Sequence, residues 1–165
     1  MAALLSQYPI FQYAYYVNDL EASINKWAKL YYAGPFVMVP HHVTDKFHYR
    51  GQDIEADVSY AFGYLGDMMI QFIQQHDDKP SIYRDMYKAG EEGYHHLGLL
   101  VHDFEAEYKR LQDAGFVDAC YFDTRSVSGG FTEIHGDPKH ILGTFAQWKR
   151  AHELFKPGDN PILTM

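Results

Sequence analysis

Two polar residues, a glutamine and a histidine, occupy matching places in two similar stretches of the chain. Gln12 lies in the apolar run that ends at Asp19. His96 lies in the run that ends at Asp103, and aligning the two aspartates places His96 on Gln12. An imidazole can bind a metal, transfer a proton or donate a hydrogen bond, whereas a carboxamide offers only hydrogen bonds and a neutral oxygen. The pairing therefore indicates a duplicated unit with one polar pocket residue in each copy.

Each copy is predicted to contain a helix that positions these residues between strands. Aromatic and β-branched runs favour strands, and Asn or Asp before an apolar helical period favours a helix start. In the first copy we predict strands at residues 11–17, 36–39, 57–64 and 68–74, and a helix from residue 18 or 19 to about residue 31. In the second copy we predict strands at residues 94–101, 120–124, 130–135 and 141–148, a helix at residues 103–114 and a short helix at residues 149–155.

These elements fit one domain made of two consecutive units. The first unit covers residues 10–76, a linker covers residues 77–92, the second unit covers residues 93–150 and a tail covers residues 151–165. Residues 43–55 are polar and have no clear period, so we predict a loop there. The whole chain of 165 residues is long enough to bury one real core.

Composition narrows the class of partner. The net charge is −8, which argues against nucleic acid and against an anionic membrane surface, because both need clustered Lys and Arg. The only cysteine, Cys120, excludes an internal disulfide framework and suits a reducing compartment. Residues 1–7 carry no basic residue, and no apolar run is long enough to cross a bilayer. We therefore expect a cytoplasmic protein.

The repeated pattern resembles the vicinal oxygen chelate superfamily, which includes glyoxalase I, methylmalonyl-CoA epimerase, extradiol dioxygenases and bleomycin-resistance proteins. The resemblance extends over residues 10–150 and rests on Val-x-Asp-Leu/Phe-Glu-Ala at the start of the helix in both halves. It implies an α+β fold in which two βαβββ units form one cupped mixed sheet. It also implies a metal in the cup, held by the first and fourth strands of each unit, and a possible homodimer.

Carrying the cup positions over residue by residue gives one imidazole and three carboxamides. The first strands supply Gln12 and His96, and the fourth strands supply Gln71 and Gln147. Amide oxygens leave the charge of a divalent ion uncompensated, so we expect either no metal or a weakly held divalent metal at these positions. Extradiol dioxygenases need two histidines and one carboxylate, and this set lacks them, so a dioxygenase is not expected. The ordinary alternative is that each glutamine, and a buried His96, satisfies a neighbouring group.

Two further residues are candidates for proton transfer. Glu133 and His135 are two apart on a predicted strand and share a face, but the sequence does not fix which face. If that face lines the cup, Glu133 is the best carboxylate base. His41, at the end of a predicted strand, could act as an acid or base at the rim, although such a residue is more often exposed surface.

Neighbours on the same strands could complete a pocket. Tyr16 shares a face with Gln12, and Met69 shares one with Gln71, so both could contact a ligand, and both also suit a core. His95 is predicted to point away from the cup because side chains alternate along a strand. Aromatic residues make up 16% of the chain, which suits a pocket for a flat or apolar small molecule but also suits strands.

Three functions follow as hypotheses, and one of them is metal-dependent glyoxalase-like chemistry in which the metal is held differently. The first is a divergent glyoxalase-like lyase or isomerase for a small organic compound that bears a carbonyl or vicinal oxygens. In that hypothesis His96 is the acid, base or strongest ligand, the glutamines orient oxygens, and Glu133 or His41 is a second proton carrier. The alternative is a protein of the bleomycin-resistance kind that binds a small molecule without converting it, and the absence of carboxylates from the predicted set motivates it.

Overall fold

The computed structural model describes residues 8–42, 47–49, 52–114, 121–136 and 138–164. Its strands are β1 (Ile10–Tyr16), β2 (Phe36–His42), β3 (Phe47–Tyr49), β4 (Gln52–Ile54), β5 (Val58–Leu65), β6 (Met68–Gln75), β7 (Gly93–Leu100), β8 (Tyr121–Phe122), β9 (Phe131–His135) and β10 (Ile162–Thr164). Its helices are α1 (Leu20–Tyr31), α2 (Phe104–Asp113), α3 (Arg125–Ser128) and α4 (Pro138–Leu154). One mixed sheet has the order β10-β2-β5-β6-β1-β7-β9-β8, and β3 pairs with β4. The predicted α+β class with a large mixed sheet is confirmed.

The first unit has the predicted order of elements. β5 and β6 form a hairpin around Gly66, whose φ of 59° suits glycine in a tight turn, and β6 returns parallel to β1. Helix α1 begins where the Asp19 carboxylate accepts a hydrogen bond from the Ala22 N–H at 2.9 Å. Leu20 and Ile24 of this helix are buried against one face of the sheet, which we call the outer face.

The two units meet at the centre of the sheet through antiparallel strands β1 and β7. Gln12 pairs with Gly98, and Ala14 pairs with His96. Gln12 is the counterpart of His96, and Ala14 is the counterpart of Gly98, so each of these two pairs becomes the other when the units are exchanged. The register is therefore symmetrical, which is what a duplicated unit with Gln12 matched to His96 requires.

Each central strand carries one extra residue just before its pocket residue. The pairing of β1 with β7 shifts register between Ile10 and Gln12, and again between Ala14 and Tyr15. The first shift leaves Phe11 as an extra residue on β1, and the second leaves His95 as an extra residue on β7. A bulge interrupts strict alternation and re-aims side chains. The prediction that His95 points away from His96 is therefore wrong, since their Nδ1 atoms lie 2.9 Å apart.

The second unit departs from the predicted order after its third strand. β9 runs parallel beside β7, as β6 runs beside β1, and so occupies the place of a fourth strand. β8 pairs antiparallel with β9. Residues 141–148 lie within helix α4, so the strand predicted there is wrong. Phe145, Trp148 and His152, at spacings of three and four, form one face of that helix, a period that a strand does not use.

Helix α4 packs against β5 of the first unit, on the face of the sheet opposite α1. The Trp148 ring stacks on Phe62 at 5.2 Å, and the Phe145 ring stacks on Phe11 at 5.4 Å. Phe62 pairs with Gln71 on the neighbouring strand, so it points to the same face as that glutamine. The helix therefore covers the face of the sheet opposite α1, which we call the cup face.

Two peripheral segments are more ordered than predicted. Residues 47–49 and 52–54 form the β3–β4 hairpin, so the loop prediction is wrong there, while residues 43–46 and 50–51 lie outside the described residues. The predicted tail contributes β10, which pairs in parallel with β2 at the sheet edge. Among the described residues, the helices are all too short or too polar to cross a membrane.

Candidate functional site

Four polar side chains point to the cup face from the four central strands. They are Gln12 on β1, Gln71 on β6, His96 on β7 and Glu133 on β9, and we call them the cup residues. Ala14 pairs with Gln71 on one side and with His96 on the other. Gly98 pairs in the same way with Gln12 and Glu133. Paired residues, and residues two apart on one strand, share a face, so the four side chains converge over Ala14 and Gly98.

The fourth cup position belongs to Glu133 and not to Gln147. Gly98 pairs with Glu133 as its counterpart Ala14 pairs with Gln71, so Glu133 is the counterpart of Gln71. Gln147 is exposed on helix α4. The physical reason is topological, because the strand parallel to β7 is residues 131–135. The cup therefore contains a carboxylate, which the predicted set lacked, and the open question of which face Glu133 occupies is resolved in favour of the cup.

Three atoms of the cup residues are buried without a hydrogen-bond partner among the described residues. They are Gln12 Oε1, Gln71 Oε1 and His96 Nε2. Their side chains belong to residues that are 1%, 5% and 0% exposed, respectively. A buried polar atom left unpaired costs about 1–3 kcal/mol, so most such atoms in proteins have a partner. Three of them at one place indicate a site that binds a ligand or an ion.

Glu133 is a buried carboxylate held between two imidazoles. Its Oε2 lies 2.6 Å from His135 Nε2 and 3.1 Å from His96 Nε2. Burial alone would raise the pKa of Glu133, but the two histidines oppose it and hold that pKa well below its ordinary value. Burial would lower the pKa of His135, and the Glu133 carboxylate outweighs that and raises it. Glu133 is therefore ionised at neutral pH.

His95 sets the proton position on His96. Its Nε2 lies 3.3 Å from the Ile82 carbonyl oxygen, which can only accept, so Nε2 of His95 carries the proton. Burial, followed by the neighbouring His96, lowers the pKa of His95 to about 3, so this ring is neutral and its Nδ1 accepts. His96 Nδ1 must then donate across the 2.9 Å contact. The network thus fixes the orientation of the His96 ring and leaves its Nε2 facing Glu133 in the cup.

The donor set fits a divalent metal. His96 Nε2 and the ionised Glu133 Oε2 lie 3.1 Å apart, a separation that two ligand atoms of one ion can have, and the unpartnered amide oxygens of Gln12 and Gln71 lie on the same face. One imidazole, one carboxylate and two amide oxygens together supply both neutral donors and a compensating charge. The residues that would hold the ion are therefore His96, Glu133, Gln12 and Gln71.

The residues next to the cup residues hold them in position or belong to the core. Met69 is fully buried, and its sulfur accepts a hydrogen bond from Gln12 Nε2 at 3.3 Å, which leaves Gln12 Oε1 turned toward the cup. A Cβ at Gly98 would lie 3.0 Å from Gln12, so a larger residue there would press on the Gln12 side chain. Tyr16 lies on the cup face of β1, but its ring stacks on Tyr87 at 5.6 Å and it belongs to the core.

His41 lies apart from the cup residues. It is exposed at the end of β2, and its contacts among the described residues are with Asp57, Ser59 and His76. None of these is a cup residue. The rim position proposed for His41 therefore has no support in its contacts.

Sequence reasoning missed the support that His95 gives to the site. The sequence carried no signal for it, because the bulge at His95 arises from the pairing of β7 with β1. The bulge at Phe11, which is the counterpart of His95 in the first unit, was missed for the same reason.

Comparison with known proteins gives one family. Residues 11–127 match the model of the glyoxalase/bleomycin resistance protein/dioxygenase superfamily. A search of curated proteins by sequence found no significant match.

Solved structures share the fold at low identity. Methylmalonyl-CoA epimerase from Mycobacterium tuberculosis is 14% identical, with a TM-score of 0.58 over 87% of this chain and 95% of that one. A hypothetical protein from Bacillus halodurans is 13% identical, with a TM-score of 0.55 over 80% and 96% of the two chains. A Streptomyces coelicolor methylmalonyl-CoA epimerase in complex with 2-nitronate-propionyl-CoA is 14% identical, with a TM-score of 0.52 over 79% and 95%.

Proposed function

The chain belongs to the glyoxalase/bleomycin resistance protein/dioxygenase superfamily, and from this we propose that it is a lyase or isomerase that acts on a small organic molecule with a carbonyl group and a neighbouring oxygen. The observation that carries the proposal is the convergence of three unpartnered buried atoms of Gln12, Gln71 and His96 beside the ionised Glu133. Neutral donors next to one carboxylate suit the recognition of oxygen atoms that gain negative charge during a reaction.

The four cup residues supply the proposed ion site, and Glu133 also supplies the base. Gln12, Gln71, His96 and Glu133 would hold a divalent metal, which when bound polarises a carbonyl oxygen. Glu133 accepts the proton of a carbon beside the carbonyl, so that the C–H electron pair passes to the substrate as an enolate. Its return of the proton to the same or a neighbouring carbon completes an isomerisation. His135 contacts Glu133 and keeps it ionised before the transfer.

Hydrogen exchange with solvent tests this proposal without knowledge of the natural substrate. Purified protein is incubated in D2O with methylmalonyl-CoA, which the structural neighbours named above suggest as a first probe, and with a panel of small hydroxy ketones. We expect deuterium to enter the carbon beside the carbonyl, and Glu133→Gln to slow its entry by about 10²–10⁴-fold, as loss of a general base does.

The exposed Gln147 provides the matched control. Gln147→Ala should exchange at the wild-type rate, because this residue lies on helix α4 and not in the cup. Exchange that continues at the wild-type rate in Glu133→Gln would contradict the assignment of the base. A probe that binds tightly and is recovered without deuterium would favour the alternative function, a small-molecule-binding protein without turnover.

Location and assembly are part of the same proposal. The single cysteine supports a cytoplasmic location, since it suits a reducing compartment. A homodimer is supported only by the resemblance to family members, which often dimerise. Analytical ultracentrifugation of the purified chain would test it.

A further inference from the structure

We propose that His41, Asp57 and His76 form a second metal site, separate from the cup, for a divalent first-row transition ion such as Zn²⁺, Co²⁺ or Ni²⁺. Each of the three residues offers one ligand atom, and these atoms all lie within 4.8 Å of one another. The residues come from the end of β2, the chain just before β5 and the chain just after β6. An ion here would join three chain segments at one end of the sheet.

The distances between the candidate ligand atoms are close to those between the ligands of a bound ion. His41 Nδ1 lies 2.9 Å from Asp57 Oδ1 and 3.1 Å from Oδ2, and the His41 and His76 rings stack with centroids 4.5 Å apart. Ligands at 2.0–2.1 Å from a tetrahedral zinc lie about 3.4 Å from one another. Small side-chain movements would therefore bring all three ligand atoms to bonding distance.

The backbone already fixes the three residues. The His41 N–H donates to Ser59 Oγ at 2.9 Å, and the His76 N–H donates to the Asp57 carbonyl oxygen at 2.8 Å. The Asp57 N–H donates to an Asp77 carboxylate oxygen at 3.0 Å. Ser59 Oγ also lies 2.6 Å from His76 Nε2, so one hydroxyl contacts both histidine residues. Such outer contacts orient metal ligands in known sites.

His41 has a strained backbone that an ordinary surface residue does not need. Its φ is 47°, in the left-handed region, where a residue with a side chain costs about 1–2 kcal/mol. Strain of this kind is concentrated at binding sites. An exposed histidine–aspartate pair contributes about 0–1 kcal/mol, so the ion pair alone does not account for the arrangement. The contacts of a bound ion would.

The chemical types of the three ligands indicate which class of ion the site would bind. Two imidazoles and one carboxylate favour zinc and its first-row neighbours over magnesium and calcium, which prefer oxygen ligands. The His41 side chain is 64% exposed and that of Asp57 is 37% exposed, so an ion can enter from solvent and keep water in its remaining positions. Three protein ligands with an open position is an arrangement that metalloproteins use for exchangeable or reactive metals.

The site is independent of the cup. Ser59 lies two residues from Ala61 on β5, so the two side chains share a face. Ala61 packs in the core beneath α1, so Ser59 points to the outer face. The cup residues lie on the opposite face. Loss of one site should therefore leave the other able to bind metal.

Metal binding by the full-length protein tests the inference. Protein stripped with a chelator is titrated with Zn²⁺ by calorimetry and with Co²⁺ by absorption, in the Glu133→Gln background so that the cup contributes little. We expect His41→Ala, His76→Ala and Asp57→Asn each to lower the affinity for Zn²⁺ and Co²⁺ by at least about tenfold, because loss of a residue that only orients a ligand already costs about 10–100-fold. Removal of two of the three ligands should abolish the binding.

His42 is the matched control. It neighbours His41 on β2, is also exposed, and is not one of the clustered ligands. His42→Ala should bind the ion as the parent protein does. The inference is overturned if His41→Ala and His76→Ala bind as tightly as the parent, or if His42→Ala loses as much affinity, which would mark adventitious binding to surface histidines. Thermal unfolding of each variant confirms that the chain is folded, and failure of the reaction assay would not affect the result.

Discussion

The charge of Glu133 depends on the imidazole beside it. His135 Nε2 contacts Glu133 Oε2 at 2.6 Å in a largely buried pair. Because the pKa of Glu133 is lowered on folding, its stabilising contribution exists above the ordinary carboxyl pKa of about 4.3 and is lost as the pH falls through the lowered value. Because the pKa of His135 is raised, its contribution is complete below about pH 6.5 and is lost as the pH rises through the raised value.

A substitution at His135 should therefore change the pH profile of stability. We expect His135→Gln to lower the free energy of unfolding by about 2–4 kcal/mol near pH 5.5, since it leaves a buried carboxylate without its partner. The difference from wild type should shrink as the pH rises through the folded pKa of His135. Urea unfolding of both proteins at several pH values between 5 and 9 measures it. A difference that stays constant over that range would show that the two groups do not form an ion pair.

Most of the cup residues could be predicted from the sequence, but the direction of the His95 side chain could not. Gln12 and His96 were found because the repeat matches them, Gln71 was found through the resemblance to the superfamily, and the structure places all three on one face. His95 was misplaced because the rule of alternation holds only where a strand has no bulge. No feature of a single sequence fixes the position of a bulge, since it depends on pairing with another strand.

Helix α4 is the element that distinguishes the second half from the first. It follows β9, where the repeat predicted another strand, and it places Trp148 on Phe62 and Phe145 on Phe11. The repeat required a fourth strand in the second unit, so the apolar residues at 141–148 were predicted to form one. The packing partners on the cup face decide the outcome, and they are distant in sequence.

The apolar face of α4 should contribute measurably to stability. We expect Trp148→Ala to lower the free energy of unfolding by about 1–3 kcal/mol, less than a fully buried tryptophan would, because this side chain is only half-buried. It should also loosen the helix over the cup and speed the entry of metal into it. Urea unfolding and stopped-flow metal binding measure the two effects.

Arg150 serves as the control on the same helix. Its side chain is 68% exposed and pairs only with Glu153 among the contacts found for it. Arg150→Ala should change stability by less than about 0.5 kcal/mol, as most surface substitutions do. Equal effects of the two substitutions would mean that α4 is held by its charges and not by its contact with the sheet.

The whole sheet is asymmetric although its centre is symmetrical. On one side of the centre it extends through β6, β5 and β2 to β10, and on the other it extends only through β9 to the two-residue strand β8. The sequence predicted the central part, where each half repeats the other. It also predicted a strand at residues 120–124, where β8 forms one edge. It did not predict β10 at the other edge, because β10 is a short strand after a Pro- and Gly-bearing segment and its pairing with β2 is non-local.

The C-terminal strand should protect the edge of the sheet. Exposed strand edges pair with other chains, and β10 covers the β2 edge through Ile162, Leu163 and Thr164. Truncation after Asn160 is therefore expected to increase self-association, with a modest loss of stability. Light scattering during storage compares the truncated and full-length chains. Equal scattering and equal unfolding midpoints would mean that β10 has no protective effect.

The paired bulges make the pocket sensitive to chain length. A one-codon deletion at Phe11 or His95 would change none of the four cup side chains, yet it would restore a plain zigzag and exchange inward for outward positions along part of the strand. Insertions and deletions are usually tolerated in surface turns. In this protein a deletion of one residue at the middle of the sheet would separate the four cup side chains although all four residues remain in the chain.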